Sequence, residues 1–326
     1  MKKKYYLVLS SLFLNLFLVA QDRPQVIAHR GYWQTAGSAQ NSIASLEKAD
    51  QIKVYGSEFD VRMTKDSVLV IIHDEEVNNI RVEEAPYSAI QNAVLSNGEK
   101  LPTLLEFLAA AQHLKTTKLI FELKIGKRDP AWSREAARRS VDMVRDKKLQ
   151  SQTEYITFDL EAAKELIRLA PESDVYYLNG DLAPQKLKEF GFAGLDYHYD
   201  VMKSNPHWFR EAKALGLKVN VWTVNDLKLM REMIENGADF ITTDMPVEAL
   251  NLITSMMACV DKSVEIYVNG NLLCLRTNRP LTATIYTFMG TLVRQETIGE
   301  GETLIPLPKG FYIVKFDKGI TRKVVI

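Results

Sequence analysis

The chain has 326 residues, 46% hydrophobic and 25% charged, a composition that excludes disordered and fibrous classes of protein. Its 41 lysine and arginine residues balance 41 aspartate and glutamate residues, so no net positive charge attracts a nucleic acid. The two cysteines, Cys259 and Cys274, are too few for a disulfide scaffold or a thiolate zinc site. The length predicts roughly two domains.

The first segment, residues 1–20, has the pattern of a secretory signal peptide. A lysine-rich start precedes the apolar run Tyr5–Val19, and Ala20 offers a small residue for cleavage. An uncleaved anchor is the alternative, because Leu18 fits the cleavage pattern poorly. No later stretch approaches the roughly 18 consecutive apolar residues of a spanning helix. We therefore expect an exported protein, periplasmic or at the cell surface or outside the cell, without a stable membrane span.

From residue 21 to residue 257, short apolar strands alternate with helical patterns, which predicts an α/β domain with a parallel sheet. The predicted strands are Gln25–His29, Gly56–Val61 with Leu69–His73, Lys118–Leu123, Tyr155–Phe158, Val175–Leu178, Gly194–Tyr197, Lys218–Thr223 and Asp239–Thr243. The predicted helices include Thr103–His113, Ser133–Lys147, Leu160–Leu169, His207–Ala214 and Asp226–Asn236. Eight such units suit a (β/α)₈ TIM barrel, and a doubly wound open sheet is the alternative.

Residues 258–326 show a different pattern, with short alternating strands between turn residues, which predicts a small all-β sandwich domain. The predicted strands are Ser263–Val268, Leu272–Leu275, Leu281–Phe288, Thr291–Thr297 and Phe311–Phe316. A bridge between Cys259 and Cys274 can help so small a domain, and a free Cys259 thiol is equally consistent.

This C-terminal region also resembles the β-sandwich sorting modules of exported proteins of the Bacteroidetes. The resemblance is carried by Val264-Glu265-Ile266-Tyr267, by Gly310-Phe311-Tyr312-Ile313-Val314-Lys315 and by the closing Lys323-Val324-Val325-Ile326. It implies that the C-terminal domain is a partner of export machinery.

Charged side chains lie where the first predicted strands end. The first strand runs into His29 and Arg30, at the end where a parallel barrel builds its active site. His73 ends another buried strand. By alternation Glu58 and Asp60 share one face of the second strand, which points either into the barrel or to the surface.

The third strand unit delivers Glu122 and Lys124 to one face, where a plain internal salt bridge is the alternative to a catalytic role. Together these strands would bring three carboxylates, two imidazoles and two cationic groups to one barrel mouth. Carboxylate ligands suit a hard divalent cation, Ca²⁺ or Mg²⁺. A cation with Arg30 and Lys124 would stabilise the charge of a reacting phosphodiester, while the two histidines exchange protons.

In the order and spacing of these motifs, the sequence resembles the glycerophosphodiester phosphodiesterases. The resemblance covers nearly all of residues 25–246 and is carried by Ala28-His29-Arg30-Gly31, Glu58-Phe59-Asp60-Val61, Thr64-Lys65-Asp66, His73-Asp74, Leu101-Pro102-Thr103-Leu104, Glu122-Leu123-Lys124, Val221-Trp222-Thr223-Val224-Asn225 and Thr242-Thr243-Asp244-Met245-Pro246. It implies a TIM barrel that hydrolyses glycerophosphodiesters, small-molecule substrates, to sn-glycerol 3-phosphate and an alcohol with one divalent cation.

The resemblance also implies roles for individual residues. Glu58, Asp60 and Glu122 would hold the metal, and His29 and His73 would be the acid–base pair. Arg30 and Lys124 would bind phosphate, and Trp222 would line the glycerol pocket unless it is a core aromatic residue. We interpret Asp244 as a cap for the last helix, and we do not expect His198 to reach the substrate.

Two departures from the family pattern bear on the site. Gln40 replaces the usual glutamate in Ala39-Gln40-Asn41-Ser42, which removes one carboxylate near the metal. A short insertion before Leu101 predicts a mouth open on that side, which favours a bulky leaving group. Three other functions stay open: a lyase of the phospholipase type that stops at a cyclic phosphate, a non-catalytic surface protein that binds phosphate esters, and a glycosidase that uses Glu58 and Glu122.

Overall fold

The computed structural model describes residues 24–126, 130–262, 264–317 and 321–326, without the side chains of residues 257–262. The predicted signal peptide, residues 1–20, lies outside the described residues. No helix in the described part of the chain is long and apolar enough to cross a membrane. The chain forms two compact units, which divide between Thr254 and Ser255.

The first unit is a closed parallel barrel. Its strands are β1 (Gln25–Ala28), β2 (Gly56–Met63), β3 (Leu69–Ile71), β4 (Glu76–Val77), β5 (Ile80–Arg81), β6 (Lys118–Leu123), β7 (Thr153–Thr157), β8 (Val175–Tyr177), β9 (Gly194–His198), β10 (Lys218–Trp222) and β11 (Phe240–Thr243). Strands β1, β2 and β6 to β11 pair in parallel, and the ring closes because β1 pairs with both β2 and β11. The predicted (β/α)₈ barrel is confirmed, and the open sheet is excluded.

Helices surround this barrel, and their starts follow the local sequence. They are α1 (Ile43–Gln51), α2 (Leu104–Ala111), α3 (Pro130–Asp146), α4 (Leu160–Leu169), α5 (Pro184–Phe190), α6 (Tyr199–Ser204), α7 (His207–Ala214), α8 (Leu227–Asn236) and α9 (Pro246–Lys262). Thr103, Asp159 and Asp226 accept a free backbone N–H in the first turns of α2, α4 and α8. The third helix begins at Pro130 rather than at the predicted Ser133, since proline suits a first helical turn.

The barrel interior is packed with side chains from alternate strand positions. An apolar cluster of Ile27, Ile120, Ile156, Tyr176, Leu178 and Phe240 fills much of it. Gly56 is required here, because a Cβ atom would lie 2.6 Å from the Ile120 side chain. Glu58 and Asp60 are buried, which confirms that their shared face points inward. A small separate core of Val70, Val82, Ile90, Ala93 and Leu101 supports the segment between β3 and α2.

The second unit is the predicted β-sandwich. Its strands are β12 (Val264–Asn269), β13 (Leu272–Thr277), β14 (Leu281–Thr287), β15 (Leu292–Ile298), β16 (Gly301–Pro306), β17 (Phe311–Phe316) and β18 (Thr321–Val325). The antiparallel sheets β12-β13-β16 and β15-β14-β17-β18 share one apolar core that includes Leu273, Ile305, Ile285 and Val314. Sequence analysis missed β16 because Ile305 is the one buried residue among the six of that strand.

The sequence left open whether Cys259 and Cys274 form a bridge or whether Cys259 is a free thiol, and the structure describes only the side chain of Cys274. Cys274 is buried on β13 and is a free thiol. The side chain of Cys259 lies outside the described residues.

Candidate active site

Three buried carboxylates meet at the mouth of the barrel. Glu58 and Asp60 come from β2 and Glu122 from β6, where Asp60 and Glu122 are directly paired in the strand register. One carboxylate oxygen of each lies within 4.8 Å of the others, and the exposed fractions of the three residues are 2%, 0% and 7%. The structure therefore brings together all three predicted metal ligands.

These carboxylates have unequal numbers of partners. The Arg30 backbone N–H donates to Glu58 Oε2 at 2.7 Å, and the Asn41 amide donates to Asp60 Oδ2 at 2.8 Å. Lys124 Nζ lies 2.6 Å from Glu122 Oε1 and 3.1 Å from Asp60 Oδ1. Glu58 Oε1 is buried and has no hydrogen-bond partner within the described residues. Asp60 Oδ1 likewise has no hydrogen bond within the described residues, although Lys124 Nζ lies 3.1 Å away. Two carboxylate oxygens of the trio are thus left for a ligand.

The electrostatics of the trio show a surplus of negative charge. Burial, then Asp60 and Glu122, raise the pKa of Glu58 well above its usual range. Burial and the Asp60 charge raise the pKa of Glu122 to about 7, against the opposing effect of Lys124. Burial also acts to raise the pKa of Asp60, but Lys124 and other positive neighbours hold it below its ordinary value. A divalent cation would relieve this surplus, and oxygen donors suit a hard ion.

His29 follows β1 and is held by a carboxylate from the opposite end of the domain sequence. Its Nδ1 lies 2.8 Å from Asp244 Oδ1, which also accepts from Trp33 Nε1 at 3.0 Å. Asn225 Nδ2 donates to Asp244 Oδ2 at 2.7 Å. Burial acts to raise the pKa of Asp244, but the His29 hydrogen bond lowers it to about 2. The interpretation of Asp244 as a helix cap is therefore wrong, because its oxygens orient His29 instead.

His73 follows β3, and its Nδ1 lies 2.8 Å from Asp74 Oδ1. Burial lowers the pKa of His73, although Asp60 and Asp74 oppose the shift, so the imidazole is mostly neutral at neutral pH. The buried Arg62 donates from Nε to the His73 carbonyl at 2.9 Å and lies 3.6 Å from Glu83 Oε1. A buried arginine thus anchors the backbone that presents His73.

Arg30 occupies a sharp turn directly after β1. Its φ of 55° and the φ of 79° at Gly31 are left-handed, and a Cβ on Gly31 would lie 2.3 Å from Ser45 Oγ. This turn aims the Arg30 backbone N–H at Glu58. The guanidinium donates to Gln40 Oε1 at 2.7 Å, and its Nε lies 3.4 Å from Asp60 Oδ2. Gln40, the departure from the family pattern, therefore positions Arg30 with a neutral amide oxygen.

A cavity of about 260 Å³ opens between these groups. The cavity is lined by seven predicted site residues, which are His29, Arg30, Glu58, His73, Glu122, Lys124 and Trp222. It is also lined by Ile156, Phe158, Leu178, Asp196, Thr223 and Thr242, which were not predicted as site residues. Trp222 lines the cavity and also packs on the barrel core. The Phe158 and Trp222 rings meet edge to face at 5.6 Å. These rings form an apolar wall, and Lys124 borders it with its Nζ 5.8 Å from the Phe158 ring centroid. The charged wall consists of the ionisable lining residues His29, Arg30, Glu58, His73, Glu122 and Lys124.

His198 supports this wall. Its ring lies 5.1 Å from the Trp222 ring, and its Nδ1 accepts from the Asp200 backbone at 3.3 Å, at the start of α6. One edge of the His198 ring is exposed. The contacts with Trp222 and with the start of α6 give His198 a supporting role, in line with the expectation that it does not reach the substrate.

Sequence reasoning missed four residues of the site. Asn41, Phe158 and Asp196 contact or line it and were given no role, whereas Asp244 was interpreted as a helix cap. Alternation carries a signal for two of them. Phe158 shares a face with Ile156, two positions earlier, and Asp196 shares a face of β9 with His198. Asp244 stands within a motif that carried the family resemblance, and Asn41 stands within the segment that departs from the family pattern. Their partners lie 215 and 19 positions away in sequence.

Comparison with known proteins identifies relatives of this barrel. The model of the glycerophosphoryl diester phosphodiesterase family matches residues 29–248. A glycerophosphodiester phosphodiesterase of Caldanaerobacter subterraneus is 26% identical over 244 residues, which is 70% of this chain and 97% of that protein.

Solved structures agree with this match. A glycerophosphodiester phosphodiesterase from Parabacteroides distasonis is 54% identical with a TM-score of 0.71, covering 72% of this chain and 99% of that one. An Oleispira antarctica phosphodiesterase in complex with the product sn-glycerol-3-phosphate is 26% identical with a TM-score of 0.62, covering 71% and 97%. The family match spans more than half of the chain, and the site residues lie within it. This chain therefore belongs to the glycerophosphoryl diester phosphodiesterase family of enzymes.

Proposed function

We propose that this enzyme hydrolyses glycerophosphodiesters to sn-glycerol 3-phosphate and an alcohol, with one divalent cation and histidine acid–base catalysis. One observation carries the proposal: a buried trio of carboxylates with surplus negative charge adjoins a cavity. Two of the trio, Glu58 and Glu122, line that cavity with two imidazoles, a guanidinium and an ammonium group. The complex of the Oleispira antarctica relative with sn-glycerol-3-phosphate supports the same product here.

Glu58, Asp60 and Glu122 would hold the cation, Ca²⁺ or Mg²⁺. The fit rests on the buried, unpartnered Oε1 of Glu58 and on a donor set made of carboxylate oxygens. When bound, such a cation stabilises negative charge that develops on the phosphate oxygens. Lys124 stays close to Asp60 and Glu122, so it contributes a second positive charge at the same place.

His29 is the better oriented of the two proton-transfer groups. Asp244 accepts from Nδ1, which leaves Nε2 free to take or give a proton at the substrate. His73, largely neutral at neutral pH, is suited to the partner role. One imidazole would take a proton from the nucleophile as it bonds to phosphorus. The other would give a proton to the alcohol oxygen as its bond to phosphorus breaks.

Substrate contacts follow from the two walls of the cavity. Arg30 and Lys124 would bind the phosphate, since both are cationic and line the cavity. Trp222 would pack against the carbon chain of the glycerol moiety, because its indole is part of the apolar wall.

We also propose that the protein is exported, through the signal pattern of residues 1–20, and that the C-terminal sandwich engages export machinery. Cell fractionation of a host strain, with and without residues 258–326, tests this location. Retention of the truncated enzyme inside the cell supports the proposal, and equal export of both forms contradicts a role for the sandwich.

Product identification tests the proposed reaction. Glycerophosphocholine is incubated with the enzyme and followed by ³¹P NMR, with His29→Ala as the inactive form and His113→Ala as a matched control outside the cavity. We expect sn-glycerol 3-phosphate from the wild type and the control, and an at least 10²-fold lower rate with His29→Ala, roughly the contribution of one acid–base group. A cyclic phosphate as sole product would indicate the lyase, and binding without turnover a phosphate-ester-binding protein.

A further inference from the structure

Asp196 is a buried carboxyl group beside the cavity to which the proposed chemistry gives no role. It occupies an inward position of β9, and 1% of the residue is exposed. Its Oδ1 has no hydrogen-bond partner in the described part of the chain, although the residue lines the cavity with Trp222 and Thr242. Buried acceptors without partners are rare in native proteins because they cost free energy. The free oxygen therefore points to a ligand.

The polar neighbours of Asp196 leave its Oδ1 without a partner in the described part of the chain. The Asn220 amide donates to the Thr242 hydroxyl at 2.9 Å, and Trp222 Nε1 donates to the Asp196 backbone carbonyl at 2.9 Å. Burial and then the Glu122 charge raise the pKa of Asp196 well above its usual range, against a hydrogen bond from Asn220. This shift favours the protonated carboxyl group, and the unpartnered Oδ1 can take part in a hydrogen bond with a ligand.

The surroundings select the kind of group that Asp196 can bind. Ile156 and Leu178, which line the same cavity, are apolar and offer no group that could pair with a bound ion. The phosphate has stronger partners in Arg30 and Lys124, elsewhere in the same cavity. A hydroxyl is small and uncharged, and it can donate a hydrogen bond to the unpartnered Oδ1 of Asp196.

We propose that the Asp196 carboxyl binds the terminal hydroxyl of the glycerol moiety, the one farthest from phosphorus, and so makes the enzyme prefer glycerol diesters. This inference rests on the proposed function. With the phosphate at the charged wall, the glycerol chain extends along the apolar wall toward Asp196. The alcohol to be released then faces the open mouth, where its size matters less.

The test compares two substrates that differ by one oxygen atom. One is glycerophosphocholine, and the other is the analogue whose terminal hydroxymethyl is a methyl group and whose neighbouring hydroxyl is kept. We measure kcat/KM on both for the wild type, Asp196→Leu, Asp196→Asn and the matched control Glu154→Gln, which alters a buried barrel carboxyl outside the cavity. Thermal unfolding checks that each variant is folded.

We expect the wild type and Glu154→Gln to prefer glycerophosphocholine by about 10²-fold, as sites that hydrogen-bond a substrate hydroxyl do. Asp196→Leu loses this preference because kcat/KM falls on glycerophosphocholine alone, and Asp196→Asn keeps part of it. Equal wild-type efficiency on both substrates overturns the inference, even if Asp196→Leu does not fold. A parallel loss on both substrates in Asp196→Leu also overturns it. No hydrolysis of glycerophosphocholine by the wild type would instead overturn the proposed function and, with it, this inference.

Discussion

Two glutamates are buried in the same barrel, and their surroundings differ. Glu154, near the start of β7, accepts a hydrogen bond from the Tyr55 hydroxyl and has Lys118 Nζ at 3.9 Å. Glu58, on β2, has one oxygen without a partner in the described structure and two further carboxylates beside it. The first is satisfied by the fold itself, whereas the second is left for something that the fold does not supply. Unbalanced buried charge therefore marks function, and balanced buried charge marks structure.

Neutralising Glu58 should impair catalysis strongly and stability only weakly. Glu58→Gln should lower kcat/KM for glycerophosphocholine about 10³-fold, because a ligand and a negative charge are lost where charge must be stabilised. Its free energy of unfolding should fall by less than about 1 kcal/mol, since the lost charge was repelled by its neighbours. Steady-state kinetics and urea unfolding measure the two quantities.

Replacing Glu154 should have the opposite effect, with little change in activity and a loss of stability. Glu154→Leu should leave kcat/KM within about threefold of wild type, yet destabilise the protein by about 1–3 kcal/mol because the Tyr55 hydroxyl loses its buried partner. The distinction between the two glutamates would not hold if kcat/KM fell equally in both variants. It would also not hold if the free energy of unfolding fell more in Glu58→Gln than in Glu154→Leu.

A second prediction concerns the orientation of His29. Asp244→Asn should reduce kcat about 10²-fold with little change in KM, because an amide in place of the carboxylate no longer fixes the Nδ1–H tautomer. Asp200→Asn is the matched control, since Asp200 Oδ2 lies 3.5 Å from His198 Nδ1 outside the cavity. The account requires an altered pH profile of kcat in Asp244→Asn. An unchanged profile with normal kcat would mean that Asp244 has no positioning role.

The smallest expected effect is a pH dependence of stability. The pKa of Asp244 is held at about 2 in the folded protein, below its ordinary value of 3.8. A carboxyl whose folded pKa is depressed stabilises the protein above the unfolded pKa, and this contribution is lost as the pH falls through the folded pKa. Between pH 6 and pH 3, wild type should lose about 1 kcal/mol more of unfolding free energy than Asp244→Asn. Urea unfolding at both pH values measures the difference, and identical pH dependences would contradict the assignment.

The sequence predicted the parts of the molecule that depend on short-range patterns. Alternation put Glu58 and Asp60 on one strand face and Glu122 with Lys124 on another, and the repeated strand–helix units predicted a TIM barrel with an open sheet as the alternative. The predicted helix Asp226–Asn236 is confirmed as α8, where Asp226 caps the start and Gly237 ends the helix in a left-handed conformation. Each of these signals lies within a few neighbouring residues.

The parts that escaped prediction depend on contacts between distant residues. The hydrogen bond from His29 to Asp244 joins residues 215 positions apart, so only the closed ring of strands reveals it. In the sequence nothing distinguishes Asp196 from the other strand residues. The structure distinguishes it, because the Asp196 side chain lines the cavity and its Oδ1 has no partner among the described residues. Local sequence also assigned Asp244 to the nearby helix, since a carboxylate before Pro246 fits a cap as well as an active site.

The central claim is that the surplus negative charge at the barrel mouth serves a metal-dependent reaction. The most direct test follows glycerophosphocholine by ³¹P NMR with enzyme that has been treated with EDTA and passed free of it, before and after Ca²⁺ or Mg²⁺ is added. We predict no sn-glycerol 3-phosphate from the stripped enzyme and its release once one of the cations is restored, but not in Glu58→Gln. Hydrolysis at the same rate by the stripped enzyme, or full activity of Glu58→Gln, would contradict the claim.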